Sequence, residues 1–393
     1  MKVNIVARPD HSLGLYEQLV DLKLDEDSID LYTFYAWRKG SLLNRLFPKR
    51  KVAPHTATTL DRYTVVSRLS NKVLNKIGGN PRRNEERLFR RLAPLDDISN
   101  CDVLHYWPFY CAEEVRKIKL YSGVSSVADY YEASPSFVNS IFREEFDRFG
   151  VPAGHNQNLL IDQNYCFMFE ENFIVPSEFV KNSYKDEFPD KNYHVCSYGP
   201  AGHSLCENYE AIVERKSRES VKRIVFVGQV CLEKGVQYLV EAVRGSGFCL
   251  DIIGPVRKGQ ERVFRSILSG QDNVRYLGGM KNSEVMKKLE DYHVFCMPSL
   301  SDSYSLAAVE ALSHGIPVLV TEHCGISDDV EKFGLGYVAK VKSYESLRVN
   351  LERFQSDFDY NKYVAGLSGF FSFENQLMYP KSVYNVYRLL SEG

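Results

Sequence analysis

The sequence lacks any apolar run that approaches about eighteen residues, the length that a membrane-spanning helix needs. Its start, MKVNIVARPD, contains no apolar stretch of signal-peptide length. Internal repeats and low-complexity tracts are missing as well. The chain has 393 residues, of which 44% are hydrophobic and 25% charged, so it is typical of globular proteins and long enough for two cores. We therefore expect a two-domain protein of the cytoplasm.

Metal-binding and redox motifs are also scarce. The nine cysteines are an odd number, and no two of them have C-x-x-C spacing. This pattern favours reduced, mostly buried thiols over a metal site or a nucleophile. No Asp-x-Asp motif stands in a suitable loop, and Asp328-Asp329 after Gly325 indicates the start of a helix. The sequence therefore predicts neither a metal nor an organic cofactor.

Short apolar strands alternate with helical segments along the chain. The first set runs from Val3-Asn-Ile-Val through Asp102-Val-Leu-His and Val124-Ser-Ser-Val to Asn172-Phe-Ile-Val, with a helix at about 15–22 after the first strand. A second set begins at Arg223-Ile-Val-Phe-Val and continues to residues 317–321. Such alternation predicts parallel sheets, which place ligands at the carboxyl ends of their strands. We place the junction between the two sets within 198–220.

Charge is unevenly distributed, although the formal net charge is only −2. Residues 37–92 contain 15 Lys/Arg and 3 Asp/Glu, or +12, so the other residues carry about −14. Leu and Phe side chains lie among these cations, as in Ser41-Leu-Leu-Asn-Arg-Leu-Phe-Pro-Lys-Arg-Lys. Such a segment suits an anionic membrane surface, at roughly 1 kcal/mol per cation, or else forms a solvated insertion. Few aromatics accompany the cations, which argues against nucleic acid.

The stretch from Pro298 to Val320, PSLSDSYSLAAVEALSHGIPVLV, predicts a polar loop, a helix and a buried strand. Ser303 or Ser305 suits the helix N-cap, and Gly315 suits its left-handed end. The amides of residues 303–306 would then lie at a helix N-terminus, where unpaired N–H groups and the helix dipole favour an anion such as a diphosphate. Glu310, two turns into this helix, would accept hydrogen bonds from sugar hydroxyls.

This stretch resembles the nucleotide-sugar motif of retaining glycosyltransferases of family 4, in which two acids eight residues apart flank a Gly-aromatic-Gly-Leu turn. The corresponding residues are Asp302-Ser-Tyr-Ser-Leu and Glu310. The resemblance continues through 226–239, Leu250-Asp-Ile-Ile-Gly, Val274-Arg-Tyr-Leu-Gly and Cys296-Met-Pro-Ser, and it covers about residues 170–340 well. It implies a GT-B fold: two Rossmann-like α/β domains facing across a cleft, at 1–200 and 201–377, with a helix at 378–393 that crosses back onto the first domain.

Two residues depart from the family pattern. The family's first phosphate-binding turn usually reads Gly-Arg, whereas this chain has Gly228-Gln229, and the first acid is Asp302 in place of Glu. Lys234 is retained and, as a cation on a flexible stem, suits the leaving diphosphate. Arg223 and Arg275 are candidates to replace the missing guanidinium.

In the first half of the chain, fewer residues match the motifs of this family. His105 follows a strand where the family often has His-x-His, and Trp107 takes the second place. Asp129 stands where many relatives have another His, and Gly14 is a single glycine where relatives often have two. A structural role for His105 competes with a catalytic one. The aromatic pairs 106–107 and 130–131 suit either stacking on an acceptor sugar or core packing.

The resemblance implies a retaining, metal-independent glycosyltransferase that uses a UDP- or GDP-sugar. Its acceptor is a glycan or lipid-linked glycan in surface-polysaccharide (O-antigen type) synthesis, with peripheral contact to the cell membrane. The implied catalytic residues are His105, Asp129 and Asp302. The implied donor-binding residues are Gly14, Gln229, Lys234, Leu277, Ser303, Tyr304, Ser305, Leu306 and Glu310. A catalytically silent GT-B subunit and a sugar-nucleotide epimerase are the rival interpretations, and the acid pair of the motif argues against the epimerase.

Overall fold

The structure is a computed structural model that describes residues 1–7, 18–19, 22, 27–33, 37–38, 52–53, 58–59, 95–152, 164–200 and 202–393. Gly14 lies outside the described residues, as do most of the basic segment 37–92 and most of the helix predicted at about 15–22. In the described part, no helix is long and apolar enough to cross a membrane.

Parallel strands form the first sheet, which has the order β5-β2-β1-β6-β7-β8-β9 in the described residues. The central strands are buried on both faces, which explains their nearly continuous apolar sequences. A separate short parallel pair joins β3 and β4. The strands are β1 (Lys2–Ala7), β2 (Ser28–Thr33), β3 (Trp37–Arg38), β4 (Val52–Ala53), β5 (Thr58–Thr59), β6 (Val103–Tyr106), β7 (Ser125–Asp129), β8 (Asn172–Val175) and β9 (Asn192–Val195).

The second sheet is also parallel and has the order β12-β11-β10-β13-β14-β15. Its strands are β10 (Arg223–Val227), β11 (Cys249–Ile253), β12 (Val274–Gly278), β13 (Val294–Met297), β14 (Val318–Thr321) and β15 (Gly336–Ala339). The two sheets lie on either side of the predicted junction. The prediction of two parallel α/β domains is therefore confirmed.

Helices cover the faces of both sheets. In chain order the described α-helices are α1 (Leu95–Ser99), α2 (Pro108–Ser122), α3 (Pro135–Phe149), α4 (Glu178–Lys185), α5 (Tyr209–Ser217), α6 (Val236–Val243), α7 (Glu261–Leu268), α8 (Asn282–Leu289), α9 (Leu306–Ser313), α10 (Ser327–Phe333), α11 (Tyr344–Ser356), α12 (Tyr360–Phe370), α13 (Phe373–Gln376) and α14 (Met378–Glu392). Short 3-10 turns stand at Asn164–Met168 and Leu232–Lys234.

The last helix, α14, returns to the first domain. Its buried residues Val383, Val386 and Tyr387 share one apolar cluster with Val3, Ile5, Val103, Val127 and Ile174 of the first sheet. The side chains at 383, 386 and 387 lie on one face because residues three and four apart are neighbours on a helix. The predicted crossing of the C-terminal helix is confirmed.

Tight packing between two loops requires glycine at position 254, which directly follows β11. Gly254 has φ +143°. A Cβ at this position would overlap the carbonyl oxygen of Gly228, which follows the neighbouring strand β10. The two turns can therefore approach each other only because Gly254 has no side chain.

Gly254→Ala is expected to lower the free energy of unfolding by about 3 kcal/mol, since the added Cβ forces the two turns apart in a strained backbone conformation. Gly245→Ala is the matched control. Gly245 also has positive φ, at +62°, but a Cβ there meets nothing within 4 Å, so a loss of about 1 kcal/mol is expected. Urea unfolding of both variants measures the difference. Equal losses would contradict the packing argument.

Candidate functional site

Most of the predicted C-terminal site residues follow the carboxyl ends of two adjacent strands, β10 and β13. Gln229 and Lys234 follow β10, and Asp302 and the serines at 303 and 305 follow β13. These strands are parallel neighbours, so their following loops meet at one edge of the sheet. The structure thus brings together residues that are more than 70 positions apart in sequence.

The turn before α9 presents backbone N–H groups, as predicted. The amides of Ala308 and Val309 donate to the carbonyl of Ser305, at 3.0 and 3.4 Å. Those of residues 303–307 donate to no acceptor among the residues that the structure describes. These free N–H groups and the positive end of the helix dipole favour an anion at this point.

Ser305 occupies the predicted N-cap position but makes no side-chain cap hydrogen bond. Its φ is +75°, a left-handed conformation that favours glycine, and the family pattern has glycine at this position. Its Oγ is buried and has no partner among the described residues. The expectation of a serine cap bond is therefore wrong, whereas Gly315 does end the helix with φ +70°.

Glu310 is the fifth residue of α9, so it lies little more than one turn from the helix start, not two turns. Its side chain is half-buried, and its Oε1 accepts one hydrogen bond, at 3.3 Å, from Nδ2 of Asn282 at the start of α8. The other carboxylate oxygen has no hydrogen-bond partner among the described residues. Glu310 is therefore accessible to a ligand and still has acceptor capacity.

Lys234 and Asp302 form an ion pair across the site. Lys234 Nζ lies 2.7 Å from Asp302 Oδ2. Burial lowers the pKa of Lys234, but the attraction to Asp302 and the hydrogen bond that Lys234 donates to it outweigh that effect, so the pKa lies above its usual value. The backbone of Asp302 is held by hydrogen bonds with His323 and Gly325. The lysine is therefore a fixed, fully protonated cation at the edge of the sheet.

Gln229 lies against a guanidinium that the sequence analysis missed. Its Oε1 accepts from Nε and Nη2 of Arg257, at 2.9 and 2.6 Å. Neither arginine proposed as a replacement reaches this turn. Arg275 makes two 2.7 Å hydrogen bonds to Asp251. The guanidinium of Arg223 lies 5.1 Å from the ring centre of Tyr292, and its residue begins β10, so it stands at the opposite edge of the sheet.

Three further predicted donor-site residues differ in how far their side chains are exposed to a ligand. Tyr304 is buried, its hydroxyl donates to Asp329 Oδ2 at 2.6 Å, and its ring packs on Tyr198. Its side chain therefore faces the protein interior. Leu277 lies at the carboxyl end of β12, half-buried against the core, and Leu306 is exposed at the start of α9. Asp329 is in the first turn of α10, which confirms the prediction of a helix start.

His105 and Asp129 lie side by side beneath the last helix. The imidazole Nδ1 is 2.6 Å from the hydroxyl of Tyr387, and Nε2 is 3.4 Å from Asp129 Oδ2. The ring also stacks on Trp107 at 4.5 Å. Both predicted catalytic side chains are buried, at 0% and 2% exposure, so neither is open to a substrate in this conformation. Their catalytic role stays a prediction.

The two domains touch next to the site. Ser177, which follows β8 of the first sheet, donates from Oγ to the carbonyl of Ser303 at 3.1 Å. On α3 the buried carboxylate of Glu145 accepts from Gln237 Nε2 at 3.0 Å and from the hydroxyl of Tyr238. The carboxyl end of the first sheet therefore faces the turn before α9 of the second domain.

Two residues near the site, Arg257 and Asn282, were not predicted from the sequence. Both follow strands of the second sheet, β11 and β12, so their positions at the carboxyl edge were the available signal. Neither residue lies in a motif that the chain shares with the family pattern.

Comparison with known proteins shows what the second domain is similar to. Residues 209–364, which include the residues of this site in the second domain, match the model of the family described as Glycosyl transferases group 1. An uncharacterized glycosyltransferase of Methanocaldococcus jannaschii is 26% identical over 188 residues, 44% of this chain and 47% of that protein. The amylovoran biosynthesis glycosyltransferase AmsK of Erwinia amylovora is 28% identical over 144 residues, 33% of this chain and 35% of that protein. The chain thus matches less than half of the length of these relatives.

Solved structures resemble the whole chain. Sucrose-phosphate synthase from Thermosynechococcus elongatus superposes with a TM-score of 0.63 at 13% identity, covering 100% of both chains. Anabaena HepE in complex with UDP and glucose gives 0.58 at 12% identity, also over 100% of both. This likeness and the paired parallel sheets confirm the predicted GT-B fold. Membership in family 4 stays a prediction.

Proposed function

We propose that this protein is a retaining glycosyltransferase that transfers a sugar from a UDP- or GDP-sugar to a glycan or lipid-linked glycan. One observation carries the proposal: Lys234, the free amides before α9 and the accessible Glu310 share one edge of the second sheet. A cation and a helix N-terminus suit a diphosphate, and a carboxylate suits hydroxyl groups. The UDP in HepE, a protein of the same fold, supports this type of donor.

In this proposal each group has a defined task. Glu310 accepts hydrogen bonds from the ribose hydroxyls, and Asp302 accepts from the donor sugar. Lys234 and the amides of residues 303–306 stabilise the charge that develops on the leaving diphosphate, which is the main electrostatic requirement of the transition state. The bond from the anomeric carbon to the diphosphate breaks, and the acceptor oxygen bonds to that carbon on the same face. The acceptor's proton passes to the departing phosphate oxygen, and the anomeric configuration is retained.

The proposed acceptor is built on a lipid carrier in surface-polysaccharide synthesis. The amylovoran biosynthesis enzyme among the relatives supports this setting. The basic, apolar segment 37–92 lies mostly outside the described residues, and its contact with an anionic membrane stays a prediction from its +12 charge.

A panel of nucleotide sugars tests the donor assignment. A donor present at 100 times its dissociation constant should stabilise the protein by about 2.7 kcal/mol in a thermal-shift assay. The donor so identified is then supplied with lipid-linked glycans, and the anomeric configuration of the product is read by NMR. A protein stabilised by none of the UDP- or GDP-sugars would overturn the proposal.

The rival interpretation, a catalytically silent GT-B subunit, depended mainly on the missing arginine at position 229. The guanidinium of Arg257 lies within hydrogen-bond distance of Gln229, so a cation is present at that turn. This observation removes the main support for the silent subunit.

Transfer is expected to need no divalent cation, because the charge on the leaving diphosphate is met by protein groups. Among the described residues, no three His, Cys, Asp or Glu side chains converge in a way that suits a metal ion. Turnover in excess EDTA should stay within about two-fold of turnover with added Mg²⁺ or Mn²⁺. Loss of turnover in EDTA that either metal restores would contradict the expectation.

A further inference from the structure

Arg257 projects from one loop of the second sheet onto the turn that follows the neighbouring strand. Its guanidinium donates to Gln229 through Nε and Nη2, and to Glu233 through Nη1. Glu233 directly precedes Lys234 in the chain. A second fixed cation therefore stands on the same turn as the lysine that faces Asp302.

The two loops are joined by backbone contacts, which fix the position of Arg257. The amide of Val230 donates to the carbonyl of Pro255 at 2.9 Å, and the amide of Arg257 donates back to Val230 at 2.9 Å. Gly254 permits this approach because it has no side chain. Arg257 is held by both its backbone and its side chain, so its guanidinium is already in place before a ligand binds. This lowers the entropic cost of binding.

The guanidinium keeps donors for a ligand. Of its five N–H groups, three bind Gln229 and Glu233. The other two have no acceptor in the part of the chain that the structure describes. The side chain is 36% exposed, whereas Glu233 is only 8% exposed. Glu233 thus holds the guanidinium from the protein side, and the open donors are left for solvent or an anion.

A purely structural role for Arg257 would be to neutralise Glu233. However, Glu233 also accepts a hydrogen bond from Gln260 Nε2 at 3.1 Å, so the arginine is not its only partner. The second contact, to the neutral Gln229, does nothing for the charge of Glu233. It does orient the planar guanidinium, and a planar fork matches the oxygens of a phosphate better than an ammonium does.

We propose that Arg257 is the second cation of the donor-diphosphate site, supplied from the loop after β11, and that Gln229 is the residue that positions it. This inference rests on the proposed function, since it assigns one more ligand-binding group to the same site. It also accounts for a glutamine at position 229, because an arginine there would repel Arg257 at this distance.

The test compares variants of the full chain in calorimetric titrations with whichever of UDP and GDP the wild type binds. Arg257→Gln is expected to weaken binding by roughly 10- to 100-fold, as the loss of charge-assisted hydrogen bonds to phosphate implies. Lys258→Gln, the matched control, removes the same charge from the next, exposed position and should change affinity by less than about two-fold. The exchange variant Gln229→Arg/Arg257→Gln returns a guanidinium to the turn and should recover most of the affinity.

A second readout separates phosphate contact from a structural effect. Arg257→Gln should leave the weak affinity for the nucleoside, uridine or guanosine, unchanged, whereas a distorted site would weaken both ligands. If Arg257→Gln does not fold, Arg257→Lys is measured instead, because it keeps a cation beside Glu233 but loses the planar guanidinium. A diphosphate affinity of Arg257→Lys within two-fold of wild type would overturn the proposal. Equal diphosphate affinities of Arg257→Gln and Lys258→Gln would also overturn it. If wild type binds neither nucleotide, the proposed function itself fails.

Discussion

Glu310→Ala is expected to reduce donor affinity by roughly 100-fold, because two hydrogen bonds from hydroxyl groups to a charged acceptor are lost. The side chain is half-buried at the edge of the sheet, and in the described structure it accepts only one hydrogen bond, from Asn282 at 3.3 Å. Its carboxylate can therefore accept further hydrogen bonds from a ligand. Removing it leaves no deeply buried group without a partner. The affinity is measured by calorimetry with the donor identified in the panel.

Two controls accompany this variant. Glu310→Gln keeps the shape and one acceptor oxygen, so it should retain part of the affinity. Glu352→Ala removes an exposed acid from α11 and should bind the donor like wild type. If folded Glu310→Ala also binds the donor with wild-type affinity, the role of Glu310 is wrong.

Lys234→Gln is expected to lower turnover at saturating donor by about 10²- to 10³-fold, the usual cost of removing one group that stabilises the charge of a transition state. The ammonium is held 2.7 Å from Asp302 and stays protonated, since its pKa is raised by that carboxylate despite burial. In the absence of Lys234, the charge of the leaving diphosphate is met only by the backbone amides and by Arg257. Single-turnover rates measure the effect on the chemical step.

The matched control for this lysine is Lys222→Gln. Lys222 is exposed and directly precedes β10, whereas Lys234 follows that strand, so the two lysines stand at opposite edges of the sheet. Lys222→Gln should leave turnover unchanged, and Lys234→Arg should recover part of it because the charge is kept. Wild-type turnover in Lys234→Gln would show that the leaving group is stabilised elsewhere.

Much of the proposed donor site was predictable because its residues lie in continuous stretches of sequence. The loop, helix and strand from Pro298 to Val320 are specified by local signals, namely apolar helix formers, Gly315 and Pro317. The strand-helix alternation then places the loops at one edge of the sheet. The position of Ser305 was correct, but its cap bond was not: its backbone is left-handed, and its Oγ makes no cap hydrogen bond.

The placement of Arg257 and of His105 could not be read from the sequence in the same way. Arg257 contacts Gln229 across 28 positions, and only the pairing of two loops and the close approach at Gly254 bring them together. His105 contacts Tyr387 across 282 positions, because the last helix returns to the first sheet. These contacts depend on packing between elements, for which single residues carry no local signal.

The sequence by itself therefore determined the two parallel α/β domains, the helix start with its free N–H groups, and the acids and lysine around it. Periodicity, turn residues and helix ends act over a few residues, so they are visible in one sequence. Only the tertiary structure showed that Arg257 contacts the turn at Gln229, and that His105 and Asp129 are buried under the last helix. Both outcomes follow from which strands are neighbours and from which faces pack together, and these are properties of the folded chain as a whole.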